Sequence, residues 1–307
     1  MKIVVTHTAP DWDAITSVWV IKKYLPGWNE AEVEFVPAGT RSPRLVPEGG
    51  DTTKLIEKAG HDEIIHVDTG LGPLDHHQTS DKNVSAASLS WDYVKIQEGD
   101  RKIQNPEKLE GIDRMVKVVV DIDHFKEVFW DNPTADYHEF SLIGLLEGAK
   151  SLRPDDDDYL LHFGMECLDA MLHNFESRVW AEHEINETGR EFETKWGKAV
   201  GFETVNDTVL KLAQKMGYRI VLRKDPRKGY VRIKARPAQE SAEGDSRKSE
   251  EDIDLTPVYE KLKEKDPEAT WFLHVSKKML LNGTAKNPKM RPSNLSLDDI
   301  IEVIKSV

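Results

Sequence analysis

Lys2-Ile3-Val4-Val5-Thr6-His7 is a short β-branched run that leads through Thr8-Ala9-Pro10-Asp11 into Trp12-Asp13-Ala14-Ile15 and the apolar positions Val18, Trp19, Val20 and Ile21. The pattern reads as strand, tight turn, helix. Similar strands are expected at residues 33–36, 63–67 and 115–120, and helices near 53–59 and 86–97. Continuous β-branched runs that alternate with helices predict a parallel sheet covered on both faces. In such sheets ligands bind beyond the carboxyl ends of the strands. His7, Asp68 and Asp121 each stand at such an expected end, where separate segments can converge.

Composition narrows the class. At 307 residues the chain can hold two domains with their own cores. Apolar content is ordinary and charge is high, which fits a globular chain and excludes a disordered one. The apolar run after Met1 is too short for a signal peptide, and no stretch approaches the ~18 apolar residues of a membrane span. Cys167 is the single cysteine, which excludes an intramolecular disulfide and suits a reducing cytoplasm; it reads as a buried small hydrophobe. The formal net charge is −13, yet nine Lys or Arg and one acid, Asp225, fall between Lys215 and Arg236, so the remainder carries −21. That asymmetry suggests an acidic, metal-holding part and an anion-facing part, with a solvated basic hairpin as the alternative.

Beyond residue 150 the pattern changes. Leu161, Met165, Leu168, Leu172, Phe175 and Val179 recur at steps of four and three, one face of a long helix. The stripe reads as core or as a packing seam with a second subunit, which leaves a homo-oligomer open. Asp155 to Asp158 lack the alternating ligands and central glycine of a calcium loop, and read as a solvated helix start. Strands are expected at 199–205, 218–223 and 230–235, helices at 208–216, 256–263 and 297–304, and a strand at 270–275. Residues 238–252 read as a mobile loop. The expected architecture is a parallel-sheet α/β domain over 1–150, a helical connector over 151–197 and a smaller α+β substrate-binding domain over 198–307.

Acidic and histidine clusters recur in the first third: His7, Asp11 and Asp13; Asp68; Asp75-His76-His77; and Asp121-Ile122-Asp123-His124. Hard divalent ions favour carboxylate oxygen, and imidazole makes Mn²⁺ a better match than Mg²⁺. His7, Asp11 and Asp13 on one strand-to-helix turn can serve two neighbouring ions. Asp68 at another strand end is suited to bridge them, and His76 with Asp121 completes the second ion. Five carboxylates, counting Asp75, cannot all ionise side by side without cations. Against this, Asp11 could simply cap the helix that begins at Trp12. His61, His66, His124, His162, His173 and His183 lack a comparable arrangement and read as surface or packing residues.

These motifs, His7-x-x-Pro-Asp11-x-Asp13-Ala14, Asp68, Asp75-His76-His77 and Asp121-x-x-x-Phe125, resemble the four motifs of the DHH phosphoesterase superfamily, which includes RecJ-type nucleases, oligoribonucleases, cyclic-dinucleotide phosphodiesterases and manganese pyrophosphatases. The resemblance implies one ion on His7, Asp11 and Asp68, and another on Asp13, Asp68, His76 and Asp121. It implies that His77 faces the substrate phosphate and that Asp75 orients a histidine from behind. Asp123 competes with Asp121 for the fourth motif, and the spacing to Phe125 favours Asp121. Leu74-Asp75-His76-His77-Gln78 with Ser85-Ala86-Ala87, residues 218–223 and 230–236, and Trp271 to Val275 with Asn282-Gly283-Thr284 resemble the melanocyte-proliferating-gene family of exonucleases. The chain departs from that family in its opening motif, where Asp11-x-Asp13 replaces a second histidine and an Asp-Glu pair.

Two ions about 3.5–4 Å apart would make a bridging hydroxide available near neutral pH for in-line attack on phosphorus. The expected substrate is short single-stranded nucleic acid or nucleotides. Lys277, Lys278, Lys286, Lys289 and Arg291 surround Asn282-Gly283, with no acid between Trp271 and Arg291, and could hold substrate phosphate. A small phosphate compound such as pyrophosphate or a cyclic dinucleotide, and a metal-stabilised binding protein without turnover, are the alternatives. A basic surface loop is the plain reading of the late lysines.

Overall fold

The computed structural model describes residues 1–45, 50–98, 105–238, 252–284, 287 and 289–307. The chain divides into two compact units, Met1–Glu176 and Ser177–Val307. Summed over the sequence, the first carries a net −16 and the second +3. Among the described residues no helix is long and apolar enough to cross a membrane.

In the first unit β1 (Lys2–His7), β2 (Glu32–Val36), β3 (Glu57–Ala59) and β4 (Asp62–His66) form one sheet in the order β2-β1-β4-β3. β1 is parallel to both β2 and β4, while β3 runs antiparallel to β4. Alternation along the strands separates two cores. Val4 and Ile65 face the larger one, with α1 (Trp12–Tyr24), α2 (Ala86–Glu98), α3 (Pro106–Asp123) and the first part of α6 (Asp157–Thr188). Ile3, Val5 and Ile64 face a small cluster closed by Val36 and Leu45. The helices of the main core therefore lie on one side, not on both sides as the continuous apolar strands suggest. The short α4 (Asp136–Glu139) and α5 (Leu142–Leu152) complete the unit.

Two elements differ from the sequence reading. Residues 115–120, β-branched enough to read as a strand, belong to α3. Ile112, Met115, Val116, Val119 and Val120 are buried at helical spacing, and Asn105 caps the start by accepting from Lys108 N–H at 2.9 Å. Helical burial outweighs β-propensity here. Residues 53–59 are not a helix either. They end in β3, where Glu57 is drawn inside by Arg41, its ion-pair partner, and by His66 Nδ1 at 3.1 Å.

The second unit is a six-stranded sheet of β5 (Arg190–Thr194), β6 (Gly197–Glu203), β7 (Ile220–Lys224), β8 (Val231–Ala235), β9 (Trp271–Leu273) and β10 (Met279–Asn282). Its order is β5-β6-β7-β8-β10-β9, and only β6 and β7 pair in parallel. One face buries Ile220, Leu222, Ile233 and Leu280 against α8 (Thr256–Lys265) and α9 (Leu297–Lys305). On the other, α7 (Thr208–Lys215) and the end of α6 cover Val200, Phe202 and Val221. The expected mobile loop falls mostly outside the described residues.

Candidate metal centre

β1 and β4 end side by side, and each end turns sharply. Val67 N–H donates to Val5 O, carrying the pairing one residue past β4. Asp68 then adopts φ +54°, a left-handed conformation unusual for a residue with a Cβ, and its N–H donates to Leu74 O at 3.0 Å. The loop from Asp68 to Asp75 thus folds back on itself. Asp75, buried, fixes its far end by accepting from Leu71 N–H at 2.7 Å and His77 N–H at 3.1 Å.

The two oxygens of Asp68 face different neighbours. Oδ2 lies 3.2 Å from His7 Nε2, and the same nitrogen is 4.0 Å from Asp11 Oδ2. Oδ1 lies 3.5 Å from His76 Nε2 and 3.7 Å from His77 Nδ1. His76 Nε2 is also 3.5 Å from Asp13 Oδ2 and 3.6 Å from Asp123 Oδ2. Three triads of ligand atoms result: His7–Asp11–Asp68, Asp68–His76–His77 and His76–Asp123–His124.

Asp11 caps α1, its Oδ1 accepting from Asp13 and Ala14 N–H, while Oδ2 is the oxygen turned toward His7. Capping and site geometry therefore coexist in one carboxylate. Asp13 is wholly enclosed and accepts from Ala86 and Ala87 N–H at 2.8 Å each, at the positive end of α2. His77 is the exposed member: Asp75 Oδ1 holds its Nδ1 at 2.8 Å and leaves the rest of the ring open.

Asp121, favoured by the spacing to Phe125, is not brought into this cluster; its Oδ1 accepts from Lys126 Nζ at 2.9 Å. Asp123 is. Spacing to Phe125 does not separate the two, whereas the helix does: its inner face continues through Val119, Val120 and Asp123. His124 also joins, its Nε2 2.9 Å from Val84 O. Helical periodicity carried through 115–124 is the signal that would have selected both.

The electrostatics follow from crowding. Burial and the neighbouring Asp68 charge push Asp13 well above the usual carboxylate range, and burial raises Asp123. Burial would raise Asp68 too, but His7 and His76 hold it below its ordinary value. The Asp68 carboxylate raises His76 to about 9. Burial works against His7, but its bonds to Asp68 and Thr8 O lift it to about 9 as well. Raised His7 and His76 thus offset the charge of Asp68 between them.

The donors fit divalent ions. Asp68 Oδ1, His76 Nε2 and Asp123 Oδ2 are buried and have no hydrogen-bond partner. Such groups are rare unless something else satisfies them. Atoms some 3.5 Å apart leave room for an ion with bonds of about 2.1 Å, and the oxygen-rich donor set with imidazole suits Mn²⁺ or Mg²⁺.

The late basic residues are placed differently. Lys277 pairs with Asp254 at 2.8 Å, Lys278 pairs with Asp252, and Arg291 pairs with Glu268 at 2.9 Å. Asn282 is buried, its Nδ2 bonded to Thr270 O at 3.0 Å and Arg291 O at 2.9 Å. Gly283 has φ +81°, and a Cβ there would lie 2.0 Å from the Tyr230 ring, so its smallness serves that packing. Lys289 is exposed, and Lys286 lies outside the described residues. The acids that answer these cations come from outside the 271–291 window.

No protein-family model matches the chain, and no match was found among curated proteins. Among solved structures, a crystal structure of exonuclease RecJ bound to manganese aligns over 99% of this chain and 89% of that one, with 9% identity and a TM-score of 0.29. A likeness this slight says nothing of what the chain does.

Proposed function

We propose that the Met1–Glu176 unit is the centre of a metal-dependent phosphoesterase that hydrolyses phosphodiester bonds of short single-stranded nucleic acid or nucleotides. The observation that carries this reading is the group of three buried ligand atoms on Asp68, His76 and Asp123 that make no hydrogen bond although His76 Nε2 lies 3.5 and 3.6 Å from the two carboxylates. One ion would rest on His7, Asp11 and Asp68, and a second on Asp68, Asp13, His76 and Asp123. Ions bound there supply positive charge and lower the pKa of water toward neutrality.

The chain's own groups do the rest. Asp68 joins the two ligand sets through its separate oxygens. Its left-handed backbone costs of order 1–3 kcal/mol, a strain that sites retain when it aims a functional group. Asp75 fixes the Nδ1 side of His77, so the imidazole presents Nε2 outward, where it can hold a phosphate oxygen or give a proton to a leaving group. Asp11 and Asp13 are oriented by helix N-termini and need little rearrangement to bind.

A small phosphate compound is the second reading, favoured by one observation: Lys277, Lys278 and Arg291 are paired with acids rather than gathered for a remote phosphate. Turnover of bis-p-nitrophenyl phosphate, short oligonucleotides and pyrophosphate, each with Mn²⁺ and with EDTA, separates the readings. Metal-dependent hydrolysis of the diesters supports the first, and of pyrophosphate alone the second. No hydrolysis by a metal-loaded chain contradicts both.

A further inference from the structure

The basic stretch from Lys215 to Arg236 takes no part in the metal centre, yet the second unit gives part of it a definite arrangement. Cross-strand register aligns Arg223, Arg232, Leu281 and Phe272 in one row over β7, β8, β10 and β9. Val221, Lys234 and Met279 form the adjacent row. Directly paired side chains share a face, and these point away from the core of Ile220, Leu222, Ile233 and Leu280. α7 and Phe202 cover the β6–β7 part of that face. Arg232, Lys234, Met279 and Leu281 remain half-buried, outside every apolar cluster, and Phe272 is 47% exposed.

Charge on this face is unbalanced. Arg223 is buried, donates to Thr204 O at 2.9 Å, and places Nε 2.9 Å from Asp207 Oδ1 without an aligned hydrogen bond. Arg232 pairs with the other oxygen of the same carboxylate. Among the described residues neither Lys234 nor Lys211, which lies on α7, has an ion-pair partner. Burial and the charges of Arg232 and Lys211 lower the Lys234 ammonium. Asp225 is turned into the hairpin, where it accepts from Arg227 and Lys228 N–H. Among the described residues Asp207 is the one carboxylate that ion-pairs with any of these four cations, with Asp225 reaching Arg223 by charge alone, and such an excess calls for an anion.

We propose that this open face of the second unit binds single-stranded nucleic acid, with phosphates on Arg232, Lys234 and Lys211 and a base stacked on Phe272. The proposal does not depend on the metal-centre reading. Arg232 and Lys234 stand two residues apart on one strand, about 6.8 Å, enough for separate phosphates. The apolar end of the row, Leu281 and Phe272, has no use for a bare polyphosphate. A duplex, in turn, hides the base faces that an aromatic platform needs.

The test is anisotropy of a labelled single-stranded oligonucleotide with the full chain in EDTA, titrated at several salt concentrations. Lys234→Ala and Lys211→Ala should each weaken binding and flatten the salt dependence by a slope of about 0.7. Phe272→Ala should weaken it about five-fold or more with the slope unchanged. Hydrolysis of bis-p-nitrophenyl phosphate by the same Mn²⁺-loaded variants should stay at the wild-type level. A wild-type chain that binds the strand but never hydrolyses supports this surface and sinks the metal-centre reading. A chain that hydrolyses but fails to bind the strand in EDTA overturns the surface. So would unchanged affinity and slope in the lysine variants, or full displacement by inorganic polyphosphate or anionic vesicles with Phe272→Ala silent.

Discussion

Asp68 offers one oxygen to His7 and the other to His76, and its left-handed φ is what turns the carboxylate back between the two strand ends. Its place beside the two strand ends was legible in the sequence, because an aspartate directly after an apolar strand run sits where sheet ligands bind. Asp123 stayed open beside Asp121, because the spacing to Phe125 favoured Asp121 and only the helix over Pro106–Asp123 separates the two. The two aspartates give a sharp comparison. Asp123→Asn should weaken Mn²⁺ binding by at least about ten-fold, while Asp121→Asn, which loses a partly exposed pair with Lys126, should leave it unchanged and cost under about 1 kcal/mol of stability. Calorimetric titration of both variants would show it; equal effects would return Asp121 to the site. His76→Ala should lose metal as Asp123→Asn does. His77→Ala should keep it and lose turnover, since His77 is held by Asp75 at the exposed edge. The metal-free chain should also respond to pH. His7 and His76 are raised from 6.5 to about 9, so their contribution to stability is full below pH 6.5 and is lost as pH rises through about 9. In EDTA the melting temperature should fall over that window; a flat profile would mean the imidazoles are not balancing the carboxylates.

Elements were readable where one signal spoke alone. The run from Lys2 to Ile21 gave β1, its turn and α1, because a strand-length apolar run, a capping aspartate and helical spacing agree. They were misread where a local signal competed with tertiary burial: the valines of α3 carry β-propensity, and the end of 53–59 became β3 because Glu57 has buried partners from distant segments. Gly164 shows what else local pattern hides. It lies on the apolar stripe of α6, and a Cβ there would meet Ile15 of α1 at 2.8 Å, touching both Cδ1 and Cγ2. Gly164→Val should therefore destabilise the chain by about 1–3 kcal/mol through overpacking, despite removal of a helix glycine. Urea denaturation would measure it, and a gain in stability would show that α1 and α6 have slack. Beneath the Asp68 loop, burial and the Arg41 charge lower His66 from 6.5 to about 4. A depressed histidine contributes stability that is full above pH 6.5 and is lost as pH falls toward 4, because the unfolded chain takes up the proton first. His66→Gln should flatten that acid limb of the stability profile, and an unchanged limb would exclude His66 as its source.

Across the whole molecule, charge is divided by unit, −16 in Met1–Glu176 and +3 in Ser177–Val307. The sequence shows the asymmetry, because the basic stretch is contiguous. It does not show how the cations are used. Asp252, Asp254 and Glu268 neutralise lysines and an arginine that look unopposed in a 271–291 window, while antiparallel pairing gathers Arg223, Arg232 and Lys234 near Asp207, which ion-pairs with the two arginines. Pairings between distant segments decide both outcomes, and no local pattern encodes them. The acidic unit, in contrast, keeps its candidate metal ligands close to the ends of β1, β4, α1 and α3, so most of that set could be read from motifs. The claim on which the rest stands is that Asp68 links two ion sites in this unit. Equilibrium dialysis of the intact chain against Mn²⁺, with bound metal counted per chain for wild type and Asp68→Asn, tests it most directly. Two ions in wild type and loss of both high-affinity ions in the variant, with circular dichroism unchanged, are the expected result. Wild-type loading in Asp68→Asn, or no bound ion in the wild-type chain, would contradict it.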